Sequence, residues 1–153
     1  MKYHKKIRLD KEIYNEEHRI CSITVCAIKR RKIFVCDKLN SAIITLIKKH
    51  SANYEVAIYA YCLMPDHLHL LIMPSAEKSI IDFVRDVKSL STKIAWENGI
   101  NGRIWQKSFY DHFIRKEENI RNTIEYILDN PVRQGIVKMR SEYKYSGSMV
   151  YDL

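Results

Sequence analysis

Apolar and polar residues along this chain follow two periods, which together predict seven secondary-structure elements. Stretches rich in β-branched and alternating apolar residues predict strands at residues 19–28, 55–63, 67–73 and 103–115. Apolar residues spaced by three and four predict helices at residues 37–50, 79–98 and 116–129. The order β-α-β-β-α-β-α opens with a split βαβ pattern. We therefore predict an α+β fold, a ferredoxin-like split βαββαβ antiparallel sheet with an added C-terminal helix.

Few features interrupt this pattern. The fourth predicted strand has a break near Lys107 and Ser108, and the tail after the last helix is predicted to be irregular. The chain of 153 residues contains no internal repeat and no Gly- or Pro-rich linker. We expect residues 1–153 to form one domain, since this is an ordinary length for a single hydrophobic core.

Two histidines interrupt the apolar residues of the third predicted strand, HLHLLIM. Side chains alternate between the two faces of a strand, so Leu68, Leu70 and Ile72 are predicted to face the helices. His67 and His69 then share the other face, with their Cα atoms roughly 7 Å apart by strand rise. Two imidazoles at this spacing suit one metal ion that takes a third ligand from elsewhere. The plain alternative is a pair of surface histidines on a wet sheet face.

The last predicted helix offers the missing ligand. Its apolar stripe consists of Ile120, Ile124, Ile127 and Leu128. Tyr126 and Asn130 lie four residues apart on a neighbouring polar stripe, so their side chains adjoin. If the apolar stripe packs on the sheet, the phenol and the amide face the two histidines. Alternatively, Tyr126 is a half-buried aromatic residue, and Asn130 before Pro131 simply ends the helix.

Together these four residues suggest a metal-assisted reaction. The divalent ions Mg²⁺ and Mn²⁺ accept oxygen ligands, and Mn²⁺ also takes imidazole. Held by His67, His69 and Asn130, such an ion would act as a Lewis acid on a phosphate oxygen. Tyr126 would be the nucleophile and would form a covalent intermediate, which keeps the energy of the broken bond available for rejoining.

The charge balance indicates the class of partner. The chain has 26 Lys and Arg against 18 Asp and Glu, a formal net charge of +8 with a pI near 9.3. This surplus favours a polyanion, and nucleic acid is the first candidate. The four cysteines form no C-x-x-C pair and are predicted to be reduced, which fits a cytoplasmic location. No signal peptide and no membrane partner are expected, because no segment approaches the roughly 20 apolar residues of a membrane span.

Two stretches of this sequence resemble a known family. MPDHLHLLI resembles the HUH motif (His, hydrophobic, His) of the single-tyrosine transposases of the IS200/IS605 type. WQKSFYDHFIRKEENIRNTIEYILDNPVRQGIV resembles the C-terminal signature of the REP-associated tyrosine transposases, so the sequence leans to that branch. The resemblance extends from the first strand to about Val137.

The resemblance implies a role for each matching residue. It implies that Tyr126 attacks a phosphate of single-stranded, hairpin-forming DNA and becomes a 5′-phosphotyrosine. It also implies that His67 and His69 bind a divalent metal, with Asn130 at the position of the third ligand. The protein would then be a DNA transposase that cuts and rejoins single strands. IS200/IS605 members resemble obligate dimers, whereas the REP-associated branch looks monomeric, so a homodimer stays open.

Further residues are weaker candidates. Lys88 and Arg115 lie in segments that match the family pattern and are the predicted DNA-binding residues. His112 is a rival third metal ligand, and Asp66 is a candidate to orient an imidazole. Two other functions stay open. One is a non-catalytic ferredoxin-like nucleic-acid-binding module, and the other is a metal-dependent hydrolase that uses water as its nucleophile.

Overall fold

The computed structural model of this protein describes residues 19–115 and 117–152. Its strands are β1 (Ile20–Cys26), β2 (Ala57–Met64), β3 (His67–Met73), β4 (Tyr110–Ile114) and β5 (Ser146–Gly147). Its α-helices are α1 (Asp37–Tyr54), α2 (Ile80–Glu97), α3 (Glu117–Leu128) and α4 (Asn130–Arg133). Two short 3₁₀ turns, Ile28–Arg30 and Arg140–Glu142, lie between these elements.

The five strands form one antiparallel sheet in the order β4-β1-β3-β2-β5. The first four strands have the order expected of a split βαβ arrangement, so the predicted α+β, ferredoxin-like fold class is confirmed. The β2–β3 hairpin turns at Pro65 and Asp66, because proline has no N–H to donate to a strand ladder.

One face of the sheet packs against α1 and α2. Leu68, Leu70 and Ile72 of β3 are fully buried in the core that this face shares with the two helices, as their alternation predicted. Phe83 of α2 and Ile43 of α1 meet them from the helix side. Helix α2 begins where Ser79 accepts a hydrogen bond from the backbone N–H of Asp82, a standard N-cap.

The other face of the sheet is covered by α3. Ile124, Ile127 and Leu128 of this helix pack on a second apolar cluster, to which β2 and β3 contribute Ala60, Cys62, Met64 and Leu71. The apolar stripe predicted for the last helix is therefore the surface that docks it. This face also carries the two histidines, so α3 determines what surrounds them.

The main differences between the predicted and observed extents lie in three segments. The predicted strand 103–115 is wrong over its first half, where only Trp105 makes a single bridge to Ala27 and regular pairing begins at Tyr110. Helix α1 continues to Tyr54, past the predicted end near residue 50. The tail, predicted to be irregular, adds β5 to the edge of β2. The predicted start of the last helix at Lys116 lies outside the described residues.

Trp105 explains the short fourth strand. Its indole N–H donates to the Ser91 hydroxyl of α2 at 2.8 Å, and its ring stacks on Phe34 with centroids 4.7 Å apart. Because Trp105 is held against α2 and Phe34, the chain around it makes only a single bridge to Ala27 and no regular strand pairing. Lys88 of α2 holds the next residues by donating to the carbonyl of Gln106 at 2.6 Å.

Within residues 19–115 and 117–152, no helix combines the length and the apolar character needed to cross a bilayer.

We predict that Ile127→Ala lowers the free energy of unfolding by about 2–5 kcal/mol, because it leaves a cavity under α3. Ile127 is fully buried, whereas Ile136 is 45 % exposed and provides the matched control. Ile136→Ala should change stability by less than about 0.5 kcal/mol. Urea denaturation followed by circular dichroism measures both, and equal losses would contradict the docking of α3 described above.

Candidate active site

His67 and His69 lie side by side on β3 beneath α3. Their ring centroids are 4.5 Å apart and the ring planes are nearly perpendicular, at 86°. Both residues are buried, with 7 % and 5 % of their surface exposed. His67 and His69 are thus not surface histidines on a solvent-exposed sheet face, because α3 and Asn130 of α4 cover them.

His67 is held by a carboxylate. The Oδ1 atom of Asp66 lies 2.6 Å from His67 Nδ1, and Asp66 Oδ2 lies 3.2 Å from a guanidinium nitrogen of Arg30. A carboxylate only accepts hydrogen bonds, so Nδ1 carries the proton and Nε2 presents its lone pair. This arrangement fixes the ring and increases its basicity towards a metal, as a carboxylate–histidine pair does in metal sites. Asp66 therefore lies where its predicted orienting role requires.

Asn130 faces the lone pair of His67. Its side-chain nitrogen lies 3.1 Å from His67 Nε2, and the residue is 3 % exposed. Rotation of the amide by 180° would present its oxygen at the same place. His69 is held from β1, where its cross-strand partner Thr24 places Oγ1 3.0 Å from His69 Nδ1. An amide and two fixed imidazoles thus converge.

Tyr126 and Asn130 lie on opposite sides of Asp129, which separates α3 from α4. Pro131 is in the first turn of α4, where its missing N–H removes no helical hydrogen bond. Tyr126 is half-buried in the last turn of α3. A cavity of about 320 Å³ opens there, and its lining is Thr24, Cys26, Arg30, His67, His69, Tyr110, Tyr126, Asn130 and Gln134. The structure therefore brings the predicted nucleophile and all three predicted ligands to one cavity.

Burial keeps the imidazoles neutral. It lowers the pKa of His67 below the ordinary 6.5, although the hydrogen bond and charge of Asp66 act in the opposite direction. It lowers the pKa of His69 well below that value, and the positive charges nearby act in the same sense. Burial would raise the pKa of Asp66, but its hydrogen bond to His67 and the positive charge of Arg30 oppose this, and the pKa is lowered. Neutral imidazole beside ionised carboxylate is the state that binds metal.

The donor set fits a divalent ion that accepts both nitrogen and oxygen. In the described part of the chain, no group of three or more His, Cys, Asp or Glu is arranged to hold a metal. Any site at this cavity must therefore complete its ligands with an amide or solvent, and Asn130 supplies the amide. Burial raises the pKa of Cys62, the cross-strand partner of His69, to about 12, so this thiol is protonated in the metal-free protein.

The other predicted residues lie elsewhere. Lys88 lines a separate cavity of about 590 Å³ beside α2 and binds backbone carbonyls. Arg115 is exposed just after β4, and DNA contact by either residue stays a prediction. His112 is exposed on β4 and does not belong to the described lining of the histidine cavity. Trp105 and Phe109 are buried in the core, so their rings are not available to stack on the bases of DNA.

The sequence assigned no contact at this site to Thr24, Arg30 or Arg133, which contact His69, Asp66 and Tyr126 respectively. Arg30 reaches Asp66 because Lys29 and Arg30 both adopt a left-handed backbone, each with φ of 53°. That conformation is uncommon outside glycine, and the KRRK stretch gives no sign of it. Thr24 could have been found only from the β1–β3 register. Arg133 stacks on the ring of Tyr126.

The chain is thus an α+β protein with a ferredoxin-like sheet and a buried histidine pair beneath a tyrosine-bearing helix. Residues 17–130 match the family model described as "Transposase IS200 like", and the chain belongs to this family.

Similar proteins have related names. A proposed REP-associated tyrosine transposase of Haemophilus influenzae is 28 % identical over 134 residues, covering 80 % of this chain and 76 % of the relative. The REP-associated tyrosine transposase of Escherichia coli K12 is 31 % identical over 90 residues, covering 58 % of this chain and 52 % of the relative. This chain therefore matches about half the length of the Escherichia coli relative.

Two solved structures share the fold. A REP-associated tyrosine transposase bound to a REP hairpin superposes with a TM-score of 0.72 at 24 % identity, covering 94 % of this chain and 82 % of that one. A proposed transposase from Deinococcus radiodurans superposes with a TM-score of 0.53 at 18 % identity, covering 83 % and 97 %. At these identities the likeness establishes the fold.

We predict that the metal-free protein loses stability as the pH falls from 7 to 5. The unfolded chain binds protons near pH 6.5, whereas buried His69 and His67 resist protonation, so the stability present above that pH is lost below it. The carboxyl of Asp66 adds the same trend only near and below pH 3.8. Urea unfolding at a series of pH values in EDTA measures the slope. His69→Gln should flatten it, and an unchanged slope would contradict the neutral, buried imidazole.

Proposed function

We propose that this protein is a DNA transposase that cuts and rejoins single-stranded DNA through a 5′-phosphotyrosine on Tyr126. One observation carries the proposal: Tyr126 lines the same cavity as His67, His69 and Asn130. These residues come from β3 and from the α3–α4 junction of one chain, so the site needs no residue from a second copy. A homodimer therefore stays a separate hypothesis. Residues 1–153 are proposed to act as a single domain.

The proposed cleavage step is a transesterification. The phenol oxygen of Tyr126 forms a bond to phosphorus while the bond between phosphorus and the 3′ oxygen breaks. The phenol proton passes to water, and the departing oxygen takes up a proton to become a 3′-hydroxyl. In rejoining, a 3′-hydroxyl attacks the phosphotyrosine, gives up its proton and releases the phenol. The number of phosphodiester bonds is conserved, so no external energy source is required.

His67, His69 and Asn130 are proposed to hold a divalent ion, Mg²⁺ or Mn²⁺. When bound, the ion supplies Lewis-acid stabilisation of charge on the phosphate. Asp66 keeps His67 in the tautomer that offers Nε2, and Thr24 restrains His69. Asn130 presents its amide oxygen once rotated, and it must then exchange its hydrogen bond to His67 for a ligand bond.

The proposed substrate is hairpin-forming single-stranded DNA. Support comes from the net charge of +8 and from the similar REP-associated tyrosine transposase that was solved bound to a REP hairpin. Lys88 and Arg115 remain the proposed DNA contacts. The four cysteines are free thiols, which is consistent with the proposed cytoplasmic location.

We predict that Tyr126→Phe retains folding and hairpin binding but forms no covalent adduct with DNA, because only the attacking oxygen is removed. Labelled single-stranded hairpins from the flanks of its own gene, incubated with Mn²⁺, are resolved on a denaturing gel. Tyr151→Phe, an exposed tyrosine outside the cavity, is the matched control and should form the adduct at the normal rate. Tyr110 is the other tyrosine of the cavity. An adduct lost in Tyr110→Phe but kept in Tyr126→Phe would contradict the nucleophile, and cut DNA without an adduct would indicate a hydrolase.

We also predict that Mn²⁺ binding depends on the residues that orient the ligands. Asp66→Asn should weaken binding roughly 10- to 100-fold, because the carboxylate no longer fixes the His67 tautomer. His69→Gln should remove measurable binding, whereas Asp152→Asn on the exposed tail should leave it unchanged. Isothermal titration calorimetry of the DNA-free protein measures these affinities. Equal affinity in Asp66→Asn and the unaltered protein would argue against His67 as a ligand.

A further inference from the structure

Arg133 contacts Tyr126 in two ways. Its guanidinium carbon lies 3.7 Å from the centroid of the tyrosine ring. Its Nη1 atom also donates a hydrogen bond to the backbone carbonyl of Tyr126 at 2.6 Å. One side chain thus holds both the ring and the backbone of the same residue. Among the described residues, Arg133 is the one cationic side chain observed over the Tyr126 ring.

Tyr126 and Arg133 lie on opposite sides of the α3–α4 junction. Carbonyls in the last turn of a helix lack helical partners, and that of Tyr126 receives the arginine instead. In a straight helix, residues seven apart lie on the same face but roughly 10 Å apart along the axis. The long Arg133 side chain spans this separation, because its Nη1 atom reaches back across the α3–α4 junction to the Tyr126 carbonyl. Gln134, the residue after Arg133, lines the histidine cavity.

We propose that Arg133 is a positioning residue for the nucleophile: it holds the Tyr126 ring so that its hydroxyl points into the histidine cavity. This inference rests on the function proposed above. A phenol ring attached to an exposed helix end rotates freely about two side-chain bonds, and the stacked guanidinium restricts that rotation.

A purely structural role is the alternative. Basic side chains often bind the last carbonyls of a helix and stabilise its end. Such a role predicts that loss of Arg133 lowers stability without altering the catalytic step. A simple DNA contact predicts a weaker KM with kcat intact. The positioning role alone predicts lower kcat with folding and KM preserved, because the ring samples wrong orientations within an intact complex.

The test compares Arg133→Met, which removes the charge and both contacts, with Arg133→Lys, which keeps the charge. Arg121→Gln removes an equivalent charge from an exposed position on α3 and is the control. Adduct formation on a hairpin substrate is followed under single-turnover conditions at a series of protein concentrations. Its maximal rate constant is taken as kcat and its half-saturating concentration as KM. Arg133→Met should lower kcat roughly 10- to 100-fold with KM within about twofold, as misorientation does. Arg133→Lys should recover part of the loss, and Arg121→Gln should match the unaltered protein.

A second readout does not require catalysis. In protein with ¹³C-labelled tyrosine rings, the Tyr126 signal is assigned by its loss in Tyr126→Phe. Arg133→Met should shift and narrow that signal as the ring becomes mobile. An unshifted signal, an unchanged kcat, or a change in KM alone overturns the proposal. If Arg133→Met is unfolded by circular dichroism, the signal and kcat of Arg133→Lys decide instead. If the unaltered protein forms no adduct, the proposed function fails while the ring signal still tests the contact.

Discussion

The candidate site depends on the burial of one helix face against one sheet face. Ile124, Ile127 and Leu128 of α3 dock on the side of the sheet from which His67 and His69 project. This contact removes both imidazoles from solvent and so lowers the pKa of each. The same contact carries Tyr126 to the cavity. Hydrophobic packing therefore sets the chemical state of the histidines and the location of the nucleophile at the same time.

The α3–α4 junction adds precision that packing alone does not provide. At this junction Asn130 is buried against His67, and Arg133 stacks on Tyr126. On the sheet side, Asp66 and Thr24 restrain the two histidines from the hairpin turn and from β1. All four contacts join residues that lie on helices or strands or in the tight turn between β2 and β3. A site of this kind is assembled before its substrate arrives, which is what positional catalysis requires.

The sequence predicted the elements whose ends have a local chemical cause. β3 begins after Pro65 and ends before Pro74, and α2 begins at the Ser79 cap, so both bounds were correct to within a residue. The predicted grouping of His67, His69, Tyr126 and Asn130 also followed from the periods of strand and helix. The two histidines alternate along β3, and Tyr126 and Asn130 are four residues apart across the α3–α4 junction. The strand prediction for residues 103–109 was wrong, although their aromatic and β-branched composition is typical of a strand. Their course is set instead by Trp105 and its bond to Ser91, which lies on another element. Thr24, Arg30 and β5 depend on long-range register and could not be read from local pattern.

The most direct test of the central claim is to locate the covalent bond to DNA. Trypsin cleaves after Arg121 and Arg133 and releases the peptide 122–133, whose only tyrosine is Tyr126. The protein is reacted with a hairpin substrate and Mn²⁺, digested with nuclease and trypsin, and examined by tandem mass spectrometry. The account predicts a 5′-phosphonucleotide on Tyr126 that requires the metal. A nucleotide on any other residue, or cleaved DNA with this peptide unmodified, would contradict it.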